Sequence, residues 1–280
     1  MKQTLIAACI ALAASQAAQA GKLGFSNAFA DGRAELTPEK AALLHDTSVT
    51  ADIQKLYTTR QWTYSGNTGP KNWANLHRDY RDCAGSNQSP INLTGFTESV
   101  LKPIDFNYQP RAAALLNDGR TVRLNYRQPE FIKVEGSAFH LQQFQFHAPS
   151  ENQINGRSFP LEAHFVHQND RGDLAVVSVM FELGPENPAL PKHTEELPSQ
   201  EGEMMRLESP ISPDQLLPAN RDYFRFNGSL TTPPCTEGVR WFVLKTPATA
   251  SEEQLAAMKA AIGQDNNRPV QPLNARVVLK

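Results

Sequence analysis

Gln143-Phe144-Gln145-Phe146-His147 alternates polar side chains with phenyl rings. Side chains two apart share one face of a β-strand. The pattern predicts a strand with Phe144 and Phe146 in the core and Gln143, Gln145 and His147 lining a polar site. Further on, Glu162-Ala163-His164-Phe165-Val166-His167 keeps the same period. Glu162, His164 and Val166 share one of its faces, and Ala163, Phe165 and His167 the other. Set side by side, these strands bring His164 to His147, and two imidazoles on rigid neighbours are the start of a zinc site. The plainer alternative is two hydrogen-bonded histidines in a sheet.

Outward from this pair, the chain is rich in short segments broken by Pro, Gly and Asn. Strands are expected at 121–126, 131–134, 140–147, 162–167, 174–182 and 239–245. Helices are expected only at 71–76, 213–217 and 251–262, the last with Ser251 as N-cap and Glu252 and Glu253 in its first turn. Twenty prolines fit many turns and few long helices. The expected fold class is mostly β (α+β), a single domain with peripheral short helices.

The first twenty residues carry a basic start at Lys2, an apolar run from Leu5 to Ala14 and a small-residue site, Ala18-Gln19-Ala20. They read as a secretory signal peptide. Cys9 lies inside the apolar run, too early for a lipoprotein box. No later stretch approaches the ~20 apolar residues of a membrane span. The expected location is periplasmic or secreted. Residues 21–61 read as an N-terminal extension, with a short capped helix at 37–44, and residues 62–280 as the functional domain.

Once Cys9 leaves with the leader, Cys83 and Cys235 remain. An even pair in an oxidising compartment predicts one disulfide, the alternative being two buried thiols. Across so long a loop a bridge contributes roughly 2–4 kcal/mol. The chain has 27 Lys and Arg against 29 Asp and Glu, a balance that argues against a nucleic-acid partner. Nothing in the sequence names a protein partner.

Several separate stretches then converge in order. They are Trp62-Thr63-Tyr64, Gly69-Pro70-Lys71-Asn72-Trp73, Gln88-Ser89-Pro90-Ile91-Asn92, the two histidine strands, Ser229-Leu230-Thr231-Thr232-Pro233-Pro234-Cys235 and Asn267-Arg268-Pro269-Val270-Gln271-Pro272-Leu273. Together they closely resemble the α-class carbonic anhydrases of bacterial, exported type. The resemblance implies a large twisted, mainly antiparallel central sheet, a conical cavity over a buried Zn2+, and a Cys83–Cys235 disulfide. Carbon dioxide and bicarbonate are the implied substrate pair.

It also implies roles, residue by residue. Family zinc ligands are three histidines: His147 matches the second, His164 the third, and the first falls on Gln145. Thr231 matches the threonine that hydrogen-bonds the zinc-bound nucleophile, and Glu151 the glutamate that fixes its proton. Tyr64 and Thr232 complete the implied catalytic group. Glu162 matches the acceptor behind the third histidine and Gln143 the partner of the first. Val166, Val176, Leu230 and Trp241 match the apolar wall that receives carbon dioxide, although each alone reads as ordinary core. In Leu116-Asn117-Asp118-Gly119-Arg120-Thr121, Arg120 falls where the family carries a proton-shuttling histidine.

Two departures follow. Arginine stays protonated near neutral pH, so Arg120 cannot relay protons. Glutamine offers zinc only a neutral amide oxygen, a poorer match than imidazole. Sharing roughly 10–16 kcal/mol among four ligands gives each on the order of 3 kcal/mol. An amide that recovers half of this lowers affinity roughly tenfold. The resulting expectation is a zinc-dependent carbonic anhydrase impaired by Gln145. The alternative is a non-catalytic carbonic-anhydrase-related binding protein that kept the fold.

Overall fold

The computed structural model describes residues 61–109, 114–125, 130–206 and 212–280. The expected leader and the 37–44 helix lie outside them.

The strand that holds Gln143 to His147 is longer than its sequence pattern predicts. It runs Ser137–His147 and contains a register shift between Leu141 and Gln143. Such a bulge inserts one residue and resets the alternation. Phe139 and Leu141 before it therefore join Phe144 and Phe146 after it in one core. A strict period of two cannot place both pairs on the same face.

In chain order the strands are β1 (Asn92–Leu93), β2 (Asp105–Asn107), β3 (Ala114–Asn117), β4 (Val122–Asn125), β5 (Phe131–Val134), β6 (Ser137–His147), β7 (Gln153–Ile154), β8 (Leu161–Gln168), β9 (Leu174–Leu183), β10 (Met204–Arg206), β11 (Tyr223–Ser229), β12 (Glu237–Leu244) and β13 (Ala248–Ala250). Eleven form one twisted sheet whose main path is β10-β3-β4-β6-β8-β9-β12-β11. On β6, β5 continues the edge to β2, while β13 joins β9. Most neighbours are antiparallel, but β9 pairs in parallel with both β12 and β13. The sheet is thus mainly antiparallel, as expected, with parallel pairing where β9 meets β12 and β13.

The six expected strands all form, with ends shifted by a few residues. Unforeseen is β11, Tyr-Phe-Arg-Phe-Asn-Gly-Ser. Its Gly228 is required by close approach: a Cβ there would collide with the Ser89 hydroxyl. Arg225 in the same strand is buried because Glu135 meets its Nε at 2.7 Å.

Helices are few and short. α1 (Trp73–Leu76) starts later than expected, and Pro213–Leu216 is a single 3-10 turn rather than an α-helix. α2 (Glu252–Ile262) opens with a reciprocal cap: Ser251 Oγ accepts from Gln254 N at 3.2 Å, and Gln254 Oε1 accepts from Ser251 N at 3.1 Å. It ends at Gly263, whose φ of 76° suits glycine. The buried side of α2, with Ala257, Met258, Ala261 and Ile262, seals one face of the sheet. The other face carries a second apolar cluster built on Val176, Phe226 and Trp241. Near it Trp62, Tyr64 and Trp73 pack edge to face around the Cys83–Cys235 disulfide.

Candidate metal centre

The registers of three central strands assemble the centre. β6 and β8 set Gln145 opposite His164 and His147 opposite Glu162. β9 then sets Ser178 opposite His164 and Val176 opposite Val166. Phe144 and Phe146 lie in the large core, as their alternation predicts. The His147 and His164 rings stand 4.5 Å apart, both buried.

Each imidazole has one nitrogen tied down, which fixes the nitrogen left for a metal. His147 donates from Nδ1 to the Asn266 carbonyl at 2.8 Å. Burial, then the charge on His164, holds its pKa down to about 3. Its ring is neutral, with Nε2 as the exposed lone pair. His164 Nε2 lies 2.8 Å from Glu162 Oε1, at ion-pair distance but bent away from good hydrogen-bond geometry. Its Nδ1 is the atom that faces the centre. Burial opposes charge on this ring, but Glu162 and, less strongly, Glu151 outweigh it and raise its pKa.

Glu162 is held firmly in turn. It accepts from Glu151 N at 2.7 Å, Asn152 N at 2.9 Å, Asn152 Nδ2 at 2.8 Å and Ser178 Oγ at 2.6 Å. Burial alone would raise its pKa; His164 and these donors reverse that and bring it to about 2. Glu151 is different. Burial raises it to about 7 against the pull of His164, Arg268 and Thr231. Its Oε1 accepts from Arg268 N at 2.8 Å. Its Oε2 stands 3.6 Å from His147 Nε2 and 3.7 Å from His164 Nδ1.

The side of the centre built by β6 and β4 is arranged otherwise. Gln145 is half-buried, and its Nε2 contacts His147 Nε2 at 3.3 Å. Gln143 Oε1 accepts from Arg123 Nη1 at 3.2 Å. Arg123 lies directly opposite Gln145 and also approaches Asp118. Arg120 stacks on Trp62, 4.5 Å from guanidinium to ring centre.

Thr231 is buried and faces Glu151, and Tyr64 feels the same carboxylate. Burial first, then Glu151 and Asp118, push the Tyr64 phenol well above its ordinary pKa. Thr232 is half-buried, its carbonyl accepting from Cys235 N at 2.9 Å. Val166, Val176, Leu230 and Trp241 share one apolar cluster, and Trp241 sets its edge against His164 at 4.9 Å.

Sequence reasoning missed the clamps. Asn266 ties three backbone groups with its side chain: besides His147 Nδ1 on its carbonyl, its Oδ1 accepts from Ala148 N, and its Nδ2 donates to Phe146 O and Arg120 O. The buried Arg268 donates to Gln88 Oε1, Ser89 O and Cys83 O as well as through its backbone to Glu151. Only the presence of Arg268 in a quoted stretch hinted at this; Asn266, Ser178 and Asn152 gave no local signal of their partners.

A buried imidazole pair, each ring oriented by an acceptor and backed by carboxylates beside an apolar wall, has the build of a metalloenzyme centre. The donors suit zinc: imidazole nitrogens and a carboxylate oxygen are its usual ligands, and His147, Glu151 and His164 offer atoms within 4.8 Å of one another. Comparison with known proteins agrees. The family model for eukaryotic-type carbonic anhydrase matches residues 68–280. A carbonic anhydrase of Klebsiella pneumoniae is 45% identical over 222 residues, 78% of this chain and 90% of that protein. The α-carbonic anhydrase of Thermovibrio ammonificans, solved with the inhibitor sulfanilamide, superposes with a TM-score of 0.77 at 46% identity, covering 79% of this chain and 99% of that one. A Photobacterium profundum α-carbonic anhydrase superposes at 0.74 with 44% identity, covering 79% and 100%. The chain belongs to the α-class carbonic anhydrases, zinc enzymes that interconvert carbon dioxide and bicarbonate.

Proposed function

We propose that this chain is an exported, zinc-dependent carbonic anhydrase whose turnover is impaired by Gln145 and Arg120. The observation that carries this reading is the convergence of His147 Nε2 and His164 Nδ1 beside Glu151, Thr231 and the apolar wall. Zinc, when bound, supplies the acidity that makes water a nucleophile near neutral pH. His147 and His164 would hold it, with Gln145 a weak or absent donor.

The remaining work falls to the chain itself. Asn266 and Glu162 aim the two rings. An ionised Glu151 only accepts hydrogen bonds, so it orients the Thr231 proton and leaves the hydroxyl lone pairs toward the centre. Tyr64 and Thr232 complete the polar surround. Val166, Val176, Leu230 and Trp241 offer carbon dioxide an apolar seat. Arg120, pinned over Trp62, keeps its charge, so proton release relies on external buffer.

Export is proposed from the leader at 1–20, and the Cys83–Cys235 disulfide suits an oxidising compartment. Among the described residues no helix is long and apolar enough to cross a membrane. Intact-mass analysis should show cleavage after Ala20 and a mass two hydrogens below the reduced form.

The decisive experiment is metal analysis of the purified protein together with stopped-flow carbon dioxide hydration. Zinc content with measurable, buffer-dependent hydration supports the reading. A folded protein that takes up no zinc and hydrates no carbon dioxide overturns it in favour of a non-catalytic binding protein.

A further inference from the structure

We propose that in this chain the third protein donor to a bound divalent metal is the Glu151 carboxylate, making a two-histidine, one-carboxylate centre. The inference rests on the metal-dependent reading above and assigns its ligand set.

Three observations carry it. The first is distance. Donors bonded at about 2.0–2.2 Å to a tetrahedral ion stand about 3.3 Å apart. Glu151 Oε2 is already 3.6 Å from His147 Nε2 and 3.7 Å from His164 Nδ1. Closing each gap takes a fraction of an ångström, within reach of a side-chain adjustment. The second is the state of the carboxylate. Oε1 is anchored by Arg268 N, while the buried Oε2 has no hydrogen-bond partner of good geometry. A buried carboxylate oxygen without a well-placed donor is costly to ionise, and a cation between the imidazoles lowers that cost.

The third is the orientation of Gln145. His147 gives its Nδ1 proton to the Asn266 carbonyl, so its Nε2 is an acceptor. The Gln145 amide must then present its NH2 end to that nitrogen, as its Nε2 does at 3.3 Å. An amide NH2 donates and has no lone pair for a metal. Ligation by Gln145 requires turning the amide over; ligation by Glu151 requires no turn.

Two consequences follow. A carboxylate in place of an imidazole widens the range of suitable ions toward iron(II), cobalt(II) and manganese(II). A carboxylate drawn onto the metal would also release Thr231 from the acceptor that orients it, lowering turnover independently of affinity.

The test is calorimetric titration of zinc into the metal-free protein as wild type, Glu151→Gln and Gln145→Ala, with a crystal structure of the zinc-loaded wild type. Glu151→Gln should weaken binding at least tenfold and Gln145→Ala less than threefold, with Glu151 Oε2 at about 2.0–2.2 Å from the ion. Undiminished zinc affinity in Glu151→Gln, or a Gln145 oxygen bonded to the ion with Glu151 beyond bonding distance, overturns the assignment. Should Glu151→Gln fail to fold, the wild-type crystal structure decides alone. A wild type that binds zinc and hydrates carbon dioxide while Glu151 stays unbonded sinks only this ligand set. A wild type that binds no zinc sinks both it and the proposed function.

Discussion

His164 and Gln145 face each other across β8 and β6, yet their surroundings differ in kind. Behind His164, Glu162 accepts four hydrogen bonds, from Glu151, Asn152 and Ser178. Beside Gln145, the Gln143 amide accepts a single bond from Arg123. One side is a network centred on a carboxylate held by several donors at once. The other is a set of pairwise contacts beside a cation. A network of that first kind fixes geometry because each displacement breaks several bonds at once; pairwise contacts do not. The centre is therefore rigid at one wall and adaptable at the other.

The largest expected effect tests that rigidity. Glu162→Ala strips a buried partner from His164 and from four hydrogen bonds, and should destabilise by about 3–5 kcal/mol. Gln143→Ala should cost less than about 1 kcal/mol. Urea unfolding of the metal-free variants compares them, and equal losses would erase the contrast between the two walls.

Glu151 sharpens the comparison through pH. Its pKa rises from 4.5 unfolded to about 7 folded. Between these values only the folded state holds the proton, so stability falls as pH rises through the window and stays low above it. Without metal, Glu151→Gln should therefore gain up to about 3 kcal/mol over wild type at pH 8. The gain should vanish near pH 4. An advantage independent of pH would mean that shape rather than charge is responsible.

On the adaptable wall, Gln145→His should tighten zinc binding at least tenfold, about 1.4 kcal/mol, and speed hydration. Unchanged zinc affinity in calorimetry would show that this wall has moved too far to accept a ring. The smallest effect belongs to the mouth. Arg120→His should raise turnover a few-fold in dilute buffer and hardly at all in concentrated buffer. Equal gains at both would point to binding or folding instead.

Much of this was legible in the chain, for physical reasons. The alternation in β6 and β8 announces which side chains share a face, and register then brings His147 to His164. Ser251, with Glu252 and Glu253 behind it, announces the start of α2 because capping is local. The bulge at Leu141–Gln143 was not legible, since one extra residue leaves no mark on composition. Nor was β11, whose Gly228 and Arg225 owe their places to Ser89 and Glu135, remote in sequence. Asn266 and Arg268 pair with atoms far along the chain, and such pairings have no period to read.

The clamp of Asn266 and Arg268 has a consequence for how the protein is made. His147 precedes the carbonyl that orients it by 119 residues, and Glu151 precedes its Arg268 anchor by 117. Chain growth delivers the two histidine strands long before these fasteners. The centre therefore closes only once the segment at 266–268 has been made and has docked. A chain ending or clipped before Asn266 would carry its ligands intact and unaligned, so a proteolytic nick in a few tail residues would act as an off-switch for the whole molecule.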